Sequence, residues 1–205
     1  QVFEFESGVY VQHGSTGVPL STNVDVAINC IDLNKSFAIV TGRKSGSTMG
    51  NDDGLTADLT SSTNLRLLTG TAGGNYEEAY WQVIEYQGAI VKKVTASLAG
   101  GSTSTTSTIS PAVGNLSKAL VISSHIIGGN SMSDDLPRTE LTNTTTVTYT
   151  RVGTSNTMDF VSYVVEFTDG STVSRGTQNF GVGVVTQPVL ISSTSSSGVI
   201  APGNY

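Results

Sequence analysis

One short pattern places a carboxylate among large apolar residues three times. It reads Val2-Phe3-Glu4-Phe5, then Val83-Ile84-Glu85-Tyr86, then Val164-Val165-Glu166-Phe167. A carboxyl in apolar surroundings is a candidate general acid or base, because desolvation disfavours its charged form. Glycosidases need two such groups within about 10 Å of each other, across one bond. The spacing argues against that chemistry. The glutamates lie at 85 − 4 = 81 and 166 − 85 = 81 residues from one another. Equal intervals of this length put them at matching places in successive units, too far apart to share a substrate. A charge at a strand end, paired with backbone or an arginine or facing solvent, is the reading this leaves. No catalytic residue is assigned.

Other reactive residue types give weaker patterns. Asp52-Asp53 and Asp134-Asp135 sit in corresponding glycine-bearing loops. Loop carboxylates suit Ca²⁺, but the ligand periodicity of an EF-hand is missing, so these four are calcium candidates with no metal site assigned. His13 and His125 fall in different units and have no zinc spacing. Gly46-Ser47-Thr48-Met49-Gly50 has the spacing of a nucleophile elbow, with threonine at its centre and no parallel sheet to carry it. No glycine-rich loop ends in Gly-Lys-Ser/Thr, so no phosphate cradle or other cofactor site is expected. Cys30 continues the alternation of Val24, Val26 and Ile28, which predicts a small buried residue. Tyr80 and Trp81 are candidates for stacking on a sugar, set against the commoner role of strand aromatics in a core.

The elements that position these residues read as strands. Val24, Val26 and Ile28 alternate with polar residues, as do Leu65 and Leu67, and Thr144–Thr150 is rich in β-branched side chains. Phe37-Ala38-Ile39-Val40 and Leu120-Val121-Ile122 are short apolar runs that suit buried strands. The stretch 76–86 has helical propensity, but its counterpart 158–167 reads as strand, and the repeat decides for strand in both. On that strand Glu85 shares a face with Trp81 and Val83.

The repeat extends beyond the glutamates. Lys35–Val40 answers Lys118–Ile122 at an offset of 118 − 35 = 83, and Asp58-Leu59-Thr60 answers Glu140-Leu141-Thr142 at 140 − 58 = 82. The expected fold is all-β, with two tandem antiparallel β-sandwich units of six or seven strands and an extended C-terminal arm. The first unit covers 1–88, where the N-terminal strand is free to pair with a neighbour. The second covers 89–169, and 170–205 is a partial unit and arm. Val182–Ile191 reads as a strand, with Pro188 hinting at a sheet edge.

Bulk properties exclude several classes. The net charge is −6, and ten Lys and Arg are scattered over 205 residues, which argues against nucleic acid as a partner. No apolar run reaches the roughly 18–20 residues of a membrane span. A single cysteine forbids an intrachain disulfide. The chain opens on Gln without a basic and apolar leader, as a processed chain or an internal piece would.

The run from Arg138 to Arg151, followed by Tyr163-Val164-Val165-Glu166-Phe167, resembles a repeat of tailed-bacteriophage virion proteins. In that repeat an R-x-x-L-T-x-x-T-x-[VL]-x-x-x-R strand pair precedes W-x-V-[IV]-E-[FY]. Lys35–Val40 fits its middle strand, and the resemblance spans most of both units. The first unit departs from it, because Ala57-Asp58-Leu59-Thr60 has no counterpart of Arg138. Such proteins are similar to H-type-lectin-like sandwiches. The resemblance implies a non-enzymatic virion component of the capsid-decoration or tail-fibre kind. It also implies a homo-oligomer, a trimer being favoured, in contact with other virion proteins and with host surface glycan as a further partner. A glycan-binding adhesin and a bacterial surface filament built by strand exchange are the alternatives.

Overall fold

A computed structural model describes residues 7–17, 23–44, 54–70, 76–128, 136–177 and 186. Among these residues twelve strands follow one another: β1 (Val9–Thr16), β2 (Asn23–Ala27), β3 (Ser36–Lys44), β4 (Leu55–Ser61), β5 (Asn64–Thr69), β6 (Tyr76–Tyr86), β7 (Ala89–Leu98), β8 (Ser104–Thr108), β9 (Ala119–Ile127), β10 (Arg138–Asn143), β11 (Thr146–Thr150) and β12 (Met158–Phe167). The all-β expectation is met. Every pairing is antiparallel, and a single 3₁₀ turn at Leu116–Lys118 is the only helical element among the described residues. The 76–86 stretch is a strand, β6, as the repeat required.

The strands form three sheets: β1-β6-β3, a central β2-β5-β4-β9-β12-β7, and β10-β11-β8. The order within the first six strands recurs in the last six. β6 lies between β1 and β3 as β12 lies between β7 and β9, and β5 lies between β2 and β4 as β11 lies between β8 and β10. Register recurs as well. Glu85 stands opposite Ser36 and Tyr10, and Glu166 stands opposite Ala119 and Ile90. Asp58 faces Arg66, and Glu140 faces Thr148. Each of the two hairpins carries its register shift at the same place, Leu59/Ser61 in one and Leu141/Asn143 in the other.

Two apolar cores lie between the sheets. The first gathers Phe37, Leu59, Leu65, Leu67 and Val83, together with Val91, Val161, Tyr163 and Val165 from beyond residue 88. The second holds Leu98, Ile109, Leu141, Val147, Tyr149, Met158, Phe160 and Val164. β12 serves both. Side chains alternate across a strand, so Val161, Tyr163 and Val165 enter the first core while Phe160 and Val164 enter the second. That is why 160–165 is buried throughout with little alternation, Ser162 included: both faces are covered, as along a strand at the centre of three layers.

Where the two halves of the central sheet meet, the ladder nearly fails. β4 and β9 share one pair, Leu55 with His125. Gly54 permits this approach, since a Cβ there would lie 2.7 Å from the Ile126 Cα and 2.9 Å from the His125 carbonyl. Beyond that pair, side chains replace the missing ladder. The Ala57 N–H donates to Ser124 Oγ at 3.2 Å. The Leu59 N–H donates to Tyr163 Oη at 2.9 Å, and the same hydroxyl donates to the Ala57 carbonyl at 3.0 Å. Burial raises the Tyr163 pKa far above its usual value, so the proton it donates is retained. Lys93 Nζ completes the seam, 2.5 Å from Asp58 Oδ1 and 2.8 Å from the Leu59 carbonyl.

Cys30 corrects the expectation of a buried residue, because it is exposed. β2 ends at Ala27, and the chain then crosses the β4–β5 hairpin, where Ile28 and Ile31 N–H groups donate to Thr63 and Ser62 carbonyls at 3.0 Å each. Ile28 and Ile31 both turn inward. A spacing of three replaces the spacing of two, and Cys30 falls on the outside. The arm beyond residue 177, with Val182–Ile191 and Pro188, lies outside the described residues apart from Thr186.

His125 sits at the seam with Nε2 buried and no hydrogen-bond partner among the described residues. Its ring centroid lies 5.9 Å from that of Phe160. Desolvation pushes its pKa down to about 4. Between about pH 6.5 and 4 the folded chain therefore holds fewer protons than the unfolded chain, and stability falls as pH is lowered through that window. At about 1.4 kcal/mol per unit the full loss is on the order of 3 kcal/mol. Urea unfolding of the wild type and of His125→Leu checks this: the wild type should lose stability from pH 6.5 to 5, and the variant should lose most of that slope.

Candidate functional site

β6 carries both residues with a candidate binding role. Tyr80 stands between Ser15 of β1 and Thr41 of β3, and Gln82 stands between His13 and Ile39. These six share one face of the first sheet, hereafter the Tyr80 face. At its other end, the paired residues Phe37 and Ile84 are buried in the first core. At the Tyr80 end it is open: His13, Ser15, Thr41, Tyr80 and Gln82 are all exposed. A concavity of about 150 Å³ is lined there by His13, Gly14, Ile39, Thr41, Tyr80, Trp81 and Gln82.

Trp81 points the opposite way from Tyr80. It is half-buried and packs against the first core. It lies over Gly14, its direct partner on β1, where a Cβ would stand 2.7 Å from Cζ2 of the indole. A larger residue there would have to displace the ring. The indole Nε1 is buried and has no partner among the described residues. Of the two aromatics, Tyr80 is the one offered to solvent. Its hydroxyl donates to Glu78 Oε2 at 2.5 Å, and Arg43 Nη2 stands 3.9 Å from the same oxygen. The hydrogen bond raises the Tyr80 pKa and, joined by one from Ser15, holds the Glu78 carboxyl below its usual range. The open face thus carries an aromatic ring edged by a carboxylate, an amide, a hydroxyl and an imidazole. It can stack and hydrogen-bond.

The recurring glutamates are loop anchors. Glu166 Oε1 accepts the Gly114 and Asn115 N–H groups at 2.8 and 3.0 Å, and its Oε2 lies 3.5 Å from Lys92 Nζ. The space is tight, since a Cβ on Gly114 would stand 2.9 Å from Oε1. Glu85 does the corresponding work on the earlier loop, where Oε2 accepts the Asp32 N–H at 3.4 Å and Oε1 accepts from Gln87 Nε2 at 2.9 Å. Each carboxylate thus holds the loop that crosses from one sheet of its half to the other. Sequence could show that the glutamate recurs, but not that its partners are backbone amides. Glu4 lies outside the described residues.

Asp52, Asp53, Asp134 and Asp135 also lie outside the described residues. Among the described residues, no group of three or more His, Cys, Asp or Glu could hold a metal ion, and no helix is long and apolar enough to cross a membrane. Sequence reasoning missed the seam set of Ser124, Tyr163 and Lys93, of which only Tyr163 lies in a recurring motif, at a position that motif leaves open. The one available signal was Tyr163 standing where the first unit has Gln82.

Comparison with known proteins gives no relative: no family model, no curated protein and no solved structure matches the chain.

Replacing Glu166 with Gln should cost about 1–3 kcal/mol, because one acceptor and the charge facing Lys92 are lost in a largely buried site. Glu85→Gln should cost less, since its backbone contact is long. Urea midpoints of the two variants at pH 7 check the order.

Proposed function

We propose that the chain is a non-enzymatic structural component of a tailed-phage particle, in a capsid-decoration or tail-fibre role, built from two tandem β-sandwich units and the start of a third. The observation that carries this reading is the recurrence of strand order and register from one half to the other, with the halves joined edge to edge. Such an array propagates through sheet edges and faces, the contacts a fixed symmetric assembly uses. Residues 171–177 support the partial third unit. The Val173 N–H donates to the Ser117 carbonyl as the Val91 N–H donates to that of Asn34, each at 2.7 Å. Arg175 reaches the Leu141 carbonyl at 2.6 Å, as Lys93 reaches that of Leu59.

A second reading, glycan binding, is favoured by the exposed Tyr80 beside the concavity. Quantitative mass spectrometry of purified particles separates the two, together with a glycan array probed by the wild type and by Tyr80→Ala. A fixed copy number in particles is expected, and absence from them contradicts the structural reading. Sugar binding that Tyr80→Ala abolishes would establish the second.

A further inference from the structure

We propose that the Tyr80 face binds the β10 edge of a second copy of the chain, in the way that β9-β12-β7 binds β4 within one copy. This deepens the assembly reading above and rests on it.

The internal seam is the template. It consists of Ser124, Tyr163 and Lys93 acting on Ala57, Asp58 and Leu59. Register fixes the matching positions. Ser36 and Ala119 stand opposite Glu85 and Glu166, which puts β3 and β9 at an offset of 119 − 36 = 83 and β6 and β12 at 166 − 85 = 81. Val9 and Ala89 stand opposite Tyr86 and Phe167, so β1 and β7 are offset by 89 − 9 = 80. Thr41 therefore stands for Ser124, Gln82 for Tyr163 and His13 for Lys93. On β10, Thr139, Glu140 and Leu141 stand for Ala57, Asp58 and Leu59.

Each substitute keeps the chemistry its place requires. The Thr41 hydroxyl can accept a backbone N–H as Ser124 does. The Gln82 amide can accept one N–H and donate to one carbonyl, the double role of Tyr163. His13 can donate to Glu140 as Lys93 donates to Asp58. The apolar part of the face is also preserved, but left bare. Val91 and Val161 are 3% and 9% exposed against the first half, whereas their counterparts Val11 and Tyr80 are 45% and 47% exposed. Among the described residues β3 and β10 are also the terminal strands of their sheets, as β9 and β4 would be without each other.

Among the described residues one intramolecular contact competes. Residues 171–177 run where β1 of the second copy would lie, held by the Val173–Ser117 and Arg175–Leu141 hydrogen bonds and by no ladder. The second copy displaces this segment. Glu140 exchanges its exposed partner Arg138, at 3.3 Å, for His13. The contact is heterologous, so copies close into a ring or extend as a filament.

Sedimentation velocity on the full chain up to about 100 μM, a range that detects micromolar association, tests the pairing. His13→Glu and Glu140→Lys each replace an attraction with a repulsion, and each should weaken association about tenfold or more. Combined in one chain they should restore most of it, and Arg175→Ala should strengthen it. Both charge positions are exposed, so thermal melts should match the wild type. The proposal is overturned if wild type and Arg175→Ala both stay monomeric, or if the double variant associates no better than the singles. A monomer that binds glycan through Tyr80 overturns it too. A chain present in particles but indifferent to the charge swap refutes this face alone, whereas a chain absent from particles refutes the assembly reading.

Discussion

The double burial of β12 is the constraint on which the rest of the structure depends. Val161, Tyr163 and Val165 complete the first core while Phe160 and Val164 complete the second. Neither core closes without this strand. A fully buried aliphatic or aromatic side chain contributes roughly 1.5–3 kcal/mol, and the strand places six large side chains, Met158 among them, in two cores at once. Its backbone is paired on both edges, by β7 and β9, so no backbone group of this strand is stranded between the two cores.

From this strand the seam follows. β4 cannot continue its ladder with β9 past Leu55, because it must cross the face that β12 presents. The Tyr163 hydroxyl and the Ser124 hydroxyl then satisfy backbone groups that a straight sheet would have paired. Burial without these partners would cost about 1–3 kcal/mol per group. The seam is specific because it is polar: apolar side chains alone would permit β4 to slide, whereas two N–H groups and a carbonyl fix its position. The same logic explains the recurring glutamate, whose carboxylate fixes a crossing loop through backbone amides in each half.

Much of the strand layout was legible in the sequence, and the reason lies in particular residues. Leu65 and Leu67 alternate cleanly because β5 lies at the middle of its three-strand group with one face inward. The equal spacing of Glu85 and Glu166 gave the offset at which the registers recur. What stayed hidden was long-range. Nothing in 158–167 says that its two faces belong to different cores, and nothing near Tyr163 names Ala57 and Leu59 as its partners. Cys30 misled because alternation was carried past the end of β2 into a crossing loop. Tyr80 and Trp81 are adjacent and look like one aromatic platform, but strand geometry sends them to opposite faces, one open and one against the core.

Sharing one strand between two cores makes the halves a single thermodynamic unit despite their repeated design. Differential scanning calorimetry tests this most directly. A single transition whose calorimetric and van't Hoff enthalpies agree is the predicted result. Two resolved transitions, with Val165→Ala moving only the one that belongs to the first half, would contradict it.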